Sequence, residues 1–335
     1  MSTYRRAAAA PEAANWGYQL QGRQADEYEL DPDTLALAPH DMLVIDPSRN
    51  GRNSGRFDQD EVADMKGDRS ILAAYVSIGE ANDFRDYWDK DWTTNGKANG
   101  RLTDEAPDWL GPINPDWPEG RKVRYWDEGW RDIVFNDKGP NGEGTGELDS
   151  IVRQGFDAAY LDIVDAYYFW GAEVKKSQRE KGDPRNESQA AIRMADFIAD
   201  MADHARETNE DFFLIPQNGA YIVDAIKDAG GHGALLERFY GAIGGIAIED
   251  LYFYGNKDEN NRFNPDDPQI KILQRDFVAK GIPVYVVDYI TGDHRIDKFE
   301  RMAIRDGFIP YAAPDRDLDR MAGPLDSAAA ADFLM

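Results

Sequence analysis

Carboxylates recur at the ends of short apolar runs in this chain. Asp46 closes the run 42–46, Glu80 follows 71–77, and Asp162 lies in 158–163 with Asp165 just beyond. Glu249 closes 245–249 with Asp250 after it, and Asp288 closes 283–288 with Tyr289 after it. Gln217 closes a sixth run of the same kind, 212–217, with Asn218 next. A carboxylate among apolar neighbours loses hydration and needs a partner or a task. Three uses are open: paired acid/base or nucleophilic work, a hard-cation site, and capping of the helix that follows. Asp46 and Asp288 fit the cap as well as the site. Asp162 and Glu249, set tightly in apolar sequence, fit it least.

Other chemistries find little support. With no cysteine there is no thiolate metal site, disulfide or cysteine nucleophile. The four histidines, His40, His204, His232 and His294, show no pairing at ligand spacing, and no HExxH occurs. An enolase-type magnesium site would need a lysine base near a run end, and none is there. Asp315, Asp317 and Asp319 alternate like a calcium loop but lack its glycine and terminal glutamate, which reads as an ordinary loop. Ser77-Ile78-Gly79-Glu80 is not a nucleophile elbow. No metal and no cofactor is therefore expected. What remains is metal-free carboxylate-pair chemistry, whose commonest form is glycoside hydrolysis. Six of the eight tryptophans fall within 82–147, as Trp88, Trp92, Trp109, Trp117, Trp126 and Trp130. They could stack on the C–H faces of sugars while Asn, Gln and Asp take the hydroxyls. The plainer alternative is that so long a loop needs a small core of its own.

The elements that must position these groups read as alternating strands and helices. The β-type runs are 16–20, 42–46, 71–77, 158–163, 212–217, 245–249, 283–288 and 308–311. Helical patterns lie between most of them. Asp58 and Glu61 stand at capping-box spacing before one of them. Met194, Phe197, Ile198, Met201 and Ala205 share one face of another. Gly155 and Gly281 stand where two more should end. This alternation predicts an α/β fold, a (β/α)8 barrel with its chemistry at the C-terminal ends of the strands. A doubly wound sheet would carry a glycine-rich phosphate loop after its first strand, and Gln19-Leu20-Gln21-Gly22-Arg23 is not one. In the barrel reading the Trp-rich loop 82–147 follows strand three and a polar insertion, 171–187, follows strand four. The barrel spans 15–321, between tails 1–14 and 322–335.

Length and charge bound the rest. The chain has 335 residues, 42% of them apolar, enough for a sizeable core. Thirty-eight basic against 63 acidic residues give a net charge of −25, a field that repels nucleic acid and favours a cationic ligand, unless it serves only solubility. No apolar run reaches the ~18 residues of a membrane-spanning helix. The opening residues lack the apolar region of a signal peptide, so the chain is intracellular or its leader lies elsewhere. The sequence leaves the oligomeric state open.

Taken together, Trp16-Gly17-Tyr18-Gln19-Leu20, Tyr75-Val76-Ser77-Ile78-Gly79-Glu80-Ala81, Tyr87-Trp88, Tyr125-Trp126, Trp130, Gly155-Phe156-Asp157, Tyr160-Leu161-Asp162-Ile163-Val164-Asp165-Ala166-Tyr167, Pro216-Gln217-Asn218-Gly219 and Ile248-Glu249-Asp250-Leu251-Tyr252 resemble glycoside hydrolase family 114. This is the endo-α-1,4-polygalactosaminidase family. The resemblance runs from about residue 16 to 320. It implies a (β/α)8 barrel, endo-hydrolysis of an α-1,4-linked galactosamine polymer, and a secreted or periplasmic site of action. The family's catalytic Asp falls on Asp162 and its catalytic Glu on Glu249. By likeness to other α-retaining barrels Asp162 is taken as nucleophile and Glu249 as acid/base, with exchanged roles and an inverting mechanism left open. Asp46, Glu80, Trp88, Trp126, Asp165, Tyr167, Gln217, Asn218, Asp250, Asp288 and Tyr289 are expected to bind substrate. The insertion 171–187 and the pair Gln217-Asn218 depart from the fungal members. Two alternatives stand beside this reading: a non-catalytic carbohydrate-binding barrel, and a hydrolase of a neutral α-glycan.

Overall fold

Each of the eight apolar runs is a parallel strand in the computed structural model, which describes residues 11–23 and 28–323. Three further strands interrupt them. In chain order the strands are β1 Trp16–Gln19, β2 Met42–Ile45, β3 Ile71–Ser77, β4 Glu80–Asn82, β5 Leu110–Ile113, β6 Gly120–Val123, β7 Ala158–Asp162, β8 Phe213–Pro216, β9 Ile246–Glu249, β10 Val284–Tyr289 and β11 Ile309–Ala313. The parallel ladders run β1-β2-β3-β7-β8 and β9-β10-β11. Parallel bridges Leu214–Ile243 and Gln217–Ala247 join the two. The outer edges, β1 and β11, meet through side chains: the Trp16 indole donates to the Ile309 carbonyl at 3.0 Å.

Alternation of side chains explains why these strands are apolar on both faces. One face of every parallel strand contributes to a single inner cluster: Trp16 and Tyr18, Met42 and Val44, Ile71 and Ala73, Ala158 and Tyr160, Phe213 and Ile215, Ala247, Tyr285 and Val287, Tyr311 and Ala313. The opposite face, with Leu43, Leu72, Leu161, Leu214, Ile248 and Val286, packs in a second cluster with the helices. The interior is therefore filled by side chains, and polar groups at the strand ends emerge above it.

The helices follow their sequence signals. Gln59–Lys66 starts on the Asp58/Glu61 capping box. Glu147–Gln154 ends on Gly155 at φ 97°. Glu187–Thr208 buries Met194, Phe197, Ile198, Met201 and Ala205. Gly281, at φ 73°, closes the short turn after Asp267–Asp276.

The segment expected as one Trp-rich loop holds an antiparallel sheet, order β4-β6-β5, and the helix Glu128–Val134. The sequence did not announce these strands. Leu-Gly-Pro-Ile and Gly-Arg-Lys-Val lack apolar alternation, and β5 pairs with a register shift between Leu110 and Ile113. Of the two tails, residues 1–10 and 324–335 lie outside the described residues. Ala13 is buried and Ala14 donates to Asp41, so packing begins before residue 15.

Candidate active site

The end of β7 places Asp162 over the interior, in register with Ser77 of β3. The chain then turns sharply, with Ile163 at φ 57°. The Ile163 amide donates to Asp162 Oδ1 at 2.7 Å, and the Tyr75 hydroxyl to Oδ2 at 2.6 Å. No cation touches this carboxylate among the described residues. Burial first, and the charge of Glu249 second, push Asp162 up to about 7, while the two donors act the other way.

Glu249, at the end of β9, has different surroundings. Oε2 accepts from the Gln217 amide at 2.6 Å and the Asn218 amide at 2.8 Å. Oε1 accepts from the Tyr289 hydroxyl at 2.8 Å and Arg316 Nη1 at 3.4 Å. Asn218 also accepts from the Glu249 amide at 3.2 Å. Asn218 and Asp250 take φ values of 60° and 55°. With Ile163, three strand ends at this mouth thus carry left-handed non-glycine residues, a conformation that clusters where geometry serves function.

Asp165 is open to water yet enclosed by protein on most sides. That enclosure raises its carboxyl to about 6, with Lys122 opposing and Glu249 and Glu80 reinforcing the shift. Both Asp250 oxygens accept from one Arg316 nitrogen, Nη2, at 2.9 and 2.7 Å. Gln217 is buried, and its Oε1, like the Tyr160 hydroxyl below, has no hydrogen-bond partner among the described residues.

The remaining expected residues are placed less directly. Glu80 lies at the same end of the fold as Asp162 but is buried, held by the Asn114 amide at 2.7 Å and Lys122 at 3.2 Å. Asp46 is buried in an ion pair with Arg85 at 2.6 Å and accepts the Ser48 amide, a cap-like role. Tyr167 is buried near Glu187 and Asp165. Asp288 is not brought to the mouth. It is 0% exposed, and its two oxygens accept the backbone N–H groups of Tyr252 and Phe253 at 3.2 and 3.0 Å. Burial raises its carboxyl well above the ordinary range. It fastens the loop after β9.

Trp88 does not present a sugar-stacking face either, and Trp126 is half-buried. Trp88 is buried and packs edge-on against Trp92, which meets Trp109, which meets Trp130, with ring centroids 5.3, 5.1 and 5.1 Å apart. Trp126 is packed between Tyr125, Trp170 and the guanidinium of Arg193. The loop's need for its own core explains these tryptophans. Trp117, at the tip of the β5–β6 hairpin, is the exception at 53% exposed.

Sequence reasoning missed Arg316, Lys122, Tyr75 and Asn114. Tyr75 lies inside a strand run, where period-two alternation with Ala73 and Ser77 could have pointed it inward. Lys122 corrects the expectation that no lysine approaches the strand ends; it arrives on a strand the sequence did not reveal. Folding also brings Asp137, His204 and Glu207 to ligand spacing at the surface, where Asp149 already holds His204 at 2.6 Å.

Parallel strands filled by side chains, with Asp162 and Glu249 at their ends near enough to influence each other's charge, are an arrangement that carboxylate-pair hydrolysis can use. The chain belongs to glycoside hydrolase family GH114, whose model matches residues 2–328. It is 33% identical over 315 residues to MJ1477 of Methanocaldococcus jannaschii, covering 91% of this chain and 77% of that protein. It is 32% identical over 317 residues to a protein of Thermotoga maritima, covering 92% and 83%. In three dimensions it resembles the glycoside hydrolase domain of PelA from Pseudomonas aeruginosa, with a TM-score of 0.57, 16% identity, and 92% and 97% of the two chains covered. That likeness concerns the fold. Family membership makes the chain a glycoside hydrolase and a carbohydrate its substrate.

Proposed function

We propose that the eight strands form a (β/α)8 barrel whose mouth hydrolyses an α-1,4-linked, galactosamine-containing polysaccharide within the chain, with retention of configuration. The observation that carries the chemistry is the contrast between Asp162, pushed up to about 7, and Glu249, which accepts four hydrogen bonds. Environments that differ in this way separate an acid from a carboxylate. The contrast favours the exchange of the roles that the resemblance alone suggested.

In this reading neutral Asp162 gives its proton to the glycosidic oxygen as the C1–O bond breaks. The Glu249 carboxylate bonds to C1, forming a glycosyl ester. The Asp162 carboxylate then takes a proton from water, whose oxygen attacks C1 and releases Glu249. One glycosidic bond and one water become two hydroxyl groups. The carboxyls should stand about 5–5.5 Å apart for this path.

The open carboxylate of Asp165 and a net charge of −25 support a substrate bearing ammonium groups. The test is a product assay on α-linked polysaccharides with and without amino groups, with the anomer followed by NMR. Internal cleavage of the partly deacetylated galactosamine polymer with a retained anomer is expected. Cleavage of neutral glycans alone would shift the substrate. Binding without cleavage of any polymer would leave a carbohydrate-binding barrel.

A further inference from the structure

Arg316 arrives at the mouth from the segment after β11, which the sequence read as an ordinary loop. That segment is bolted over the end of β1. Leu318, at φ 51°, presents its carbonyl to the Leu20 amide at 3.0 Å, and the Gln21 side chain donates to the Asp317 carbonyl at 2.8 Å. Arg320 holds Asp315 from within the segment at 2.8 Å. The loop is therefore a fixed platform, and the Arg316 side chain projects from it onto β9 and β10.

Four contacts define its position, one of them from Nε to the Asp258 carbonyl at 3.1 Å. One nitrogen, Nη2, takes both oxygens of Asp250. The other, Nη1, lies 3.4 Å from Glu249 Oε1. The guanidinium carbon sits 3.9 Å from the centre of the Tyr289 ring, whose hydroxyl donates to that same Oε1. Glu249 and Asp250 are neighbours in sequence and are both partly buried, so their charges repel at short range. A planar fork that binds one carboxylate, touches the second, and stacks on the residue orienting that second one offsets the repulsion and fixes the plane of Glu249.

We propose that Arg316 is a positioning residue for the carboxylate pair: by neutralising Asp250 and backing Tyr289, it fixes the plane of the Glu249 carboxylate at the mouth it shares with Asp162. This deepens the hydrolase reading and rests on it. It also explains why the segment after the last strand is tied so firmly to the first.

The test is a cycle of Arg316→Gln, Arg316→Lys, Asp250→Asn and the double variant Arg316→Gln/Asp250→Asn in the full chain. Arg316→Gln should lower kcat roughly 10- to 100-fold, the range expected for losing a hydrogen bond to a charged group, with KM changed less than about threefold. Asp250→Asn in that background should recover most of the loss, because the repulsion that Arg316 offsets is gone. Arg316→Lys should recover part, since an ammonium supplies charge without the fork. A substrate-free readout keeps the proposal separate from the hydrolase reading. The Glu249 Cδ carbon resonance should move away from its wild-type position in Arg316→Gln, as the carboxylate loses its fixed plane, and return toward it in the double variant. If wild type cleaves nothing yet these resonances behave so, positioning stands and hydrolysis fails. An unmoved resonance, or an equal kcat loss with and without Asp250, overturns the proposal.

Discussion

The strand-end mouth and the insertion after β3 draw on the same side chains and use them in opposite ways. Cations carried by the insertion neutralise buried carboxylates in and around it. Asp46 meets Arg85 at 2.6 Å, Glu80 meets Lys122 at 3.2 Å, and Asp183 meets Arg124 at 2.8 Å. Four of its tryptophans, Trp88, Trp92, Trp109 and Trp130, pack edge-on or tilted against one another. At the mouth, Asp162 meets a tyrosine hydroxyl and an amide, and Asp165 stands open to water. A buried carboxylate with a cation is neutralised and holds structure together. One without a cation is raised toward neutral pH and can carry a proton there. Residue type is thus a weak guide to role, and partner supply a strong one.

The largest effects should separate these regions by readout. Asp162→Asn and Glu249→Gln should each reduce kcat by ~10³-fold or more while the protein stays folded, since each removes a proton-transfer or covalent role. Near-normal turnover in either variant would remove the mouth from the chemistry. Trp109→Ala should do the reverse. Truncating a buried tryptophan costs about 3–5 kcal/mol, so its denaturation midpoint should drop while kcat, measured where it is folded, stays within about threefold. Lost hydrolysis at an unchanged midpoint would make the insertion's tryptophans part of the cleft.

A third measurement concerns pH. Asp162 is raised from 3.8 to about 7 by folding. Between those values the folded chain keeps a proton that the unfolded chain has released, so this group's contribution to stability falls as pH rises from ~4 to ~7. Asp162→Asn escapes that loss. Relative to wild type it should gain stability between pH 5 and pH 8, by at most about 3 kcal/mol, in denaturant titrations at the two pH values. An equal difference at both would mean Asp162 is not shifted. In the rate profile, kcat should decline above about pH 7 if Asp162 donates its proton, and rise there if it is the nucleophile.

Smaller effects are expected at the rim. Trp117→Ala should raise KM roughly 2- to 10-fold, an aromatic contact's worth, with an unchanged melting temperature; no change in KM would leave Trp117 outside the cleft. Raising salt from 0.1 to 1 M shortens the screening length from ~10 to ~3 Å. It should weaken binding of a deacetylated polymer and leave an N-acetylated one nearly unaffected. Equal responses would make the acidic surface a matter of solvation.

By itself the sequence determined the eight parallel strands, because each is a short β-branched and aromatic run bounded by turn residues. It determined the capped helices, because their signals lie within a few residues of one another. It also marked Asp162 and Glu249, because a carboxylate set between buried apolar residues stands out against its neighbours. It could not decide which tryptophans face solvent, since packing of Trp88, Trp92, Trp109 and Trp130 depends on how strands with no periodic pattern fold together. Nor could it decide that Asp288 fastens a loop, that Lys122 reaches Glu80, or that Arg316 closes on Asp250 across 66 residues. Hydrophobic periodicity is a local property and is written along the chain. The partner of a charge is a matter of distance in space, and only the tertiary structure sets it.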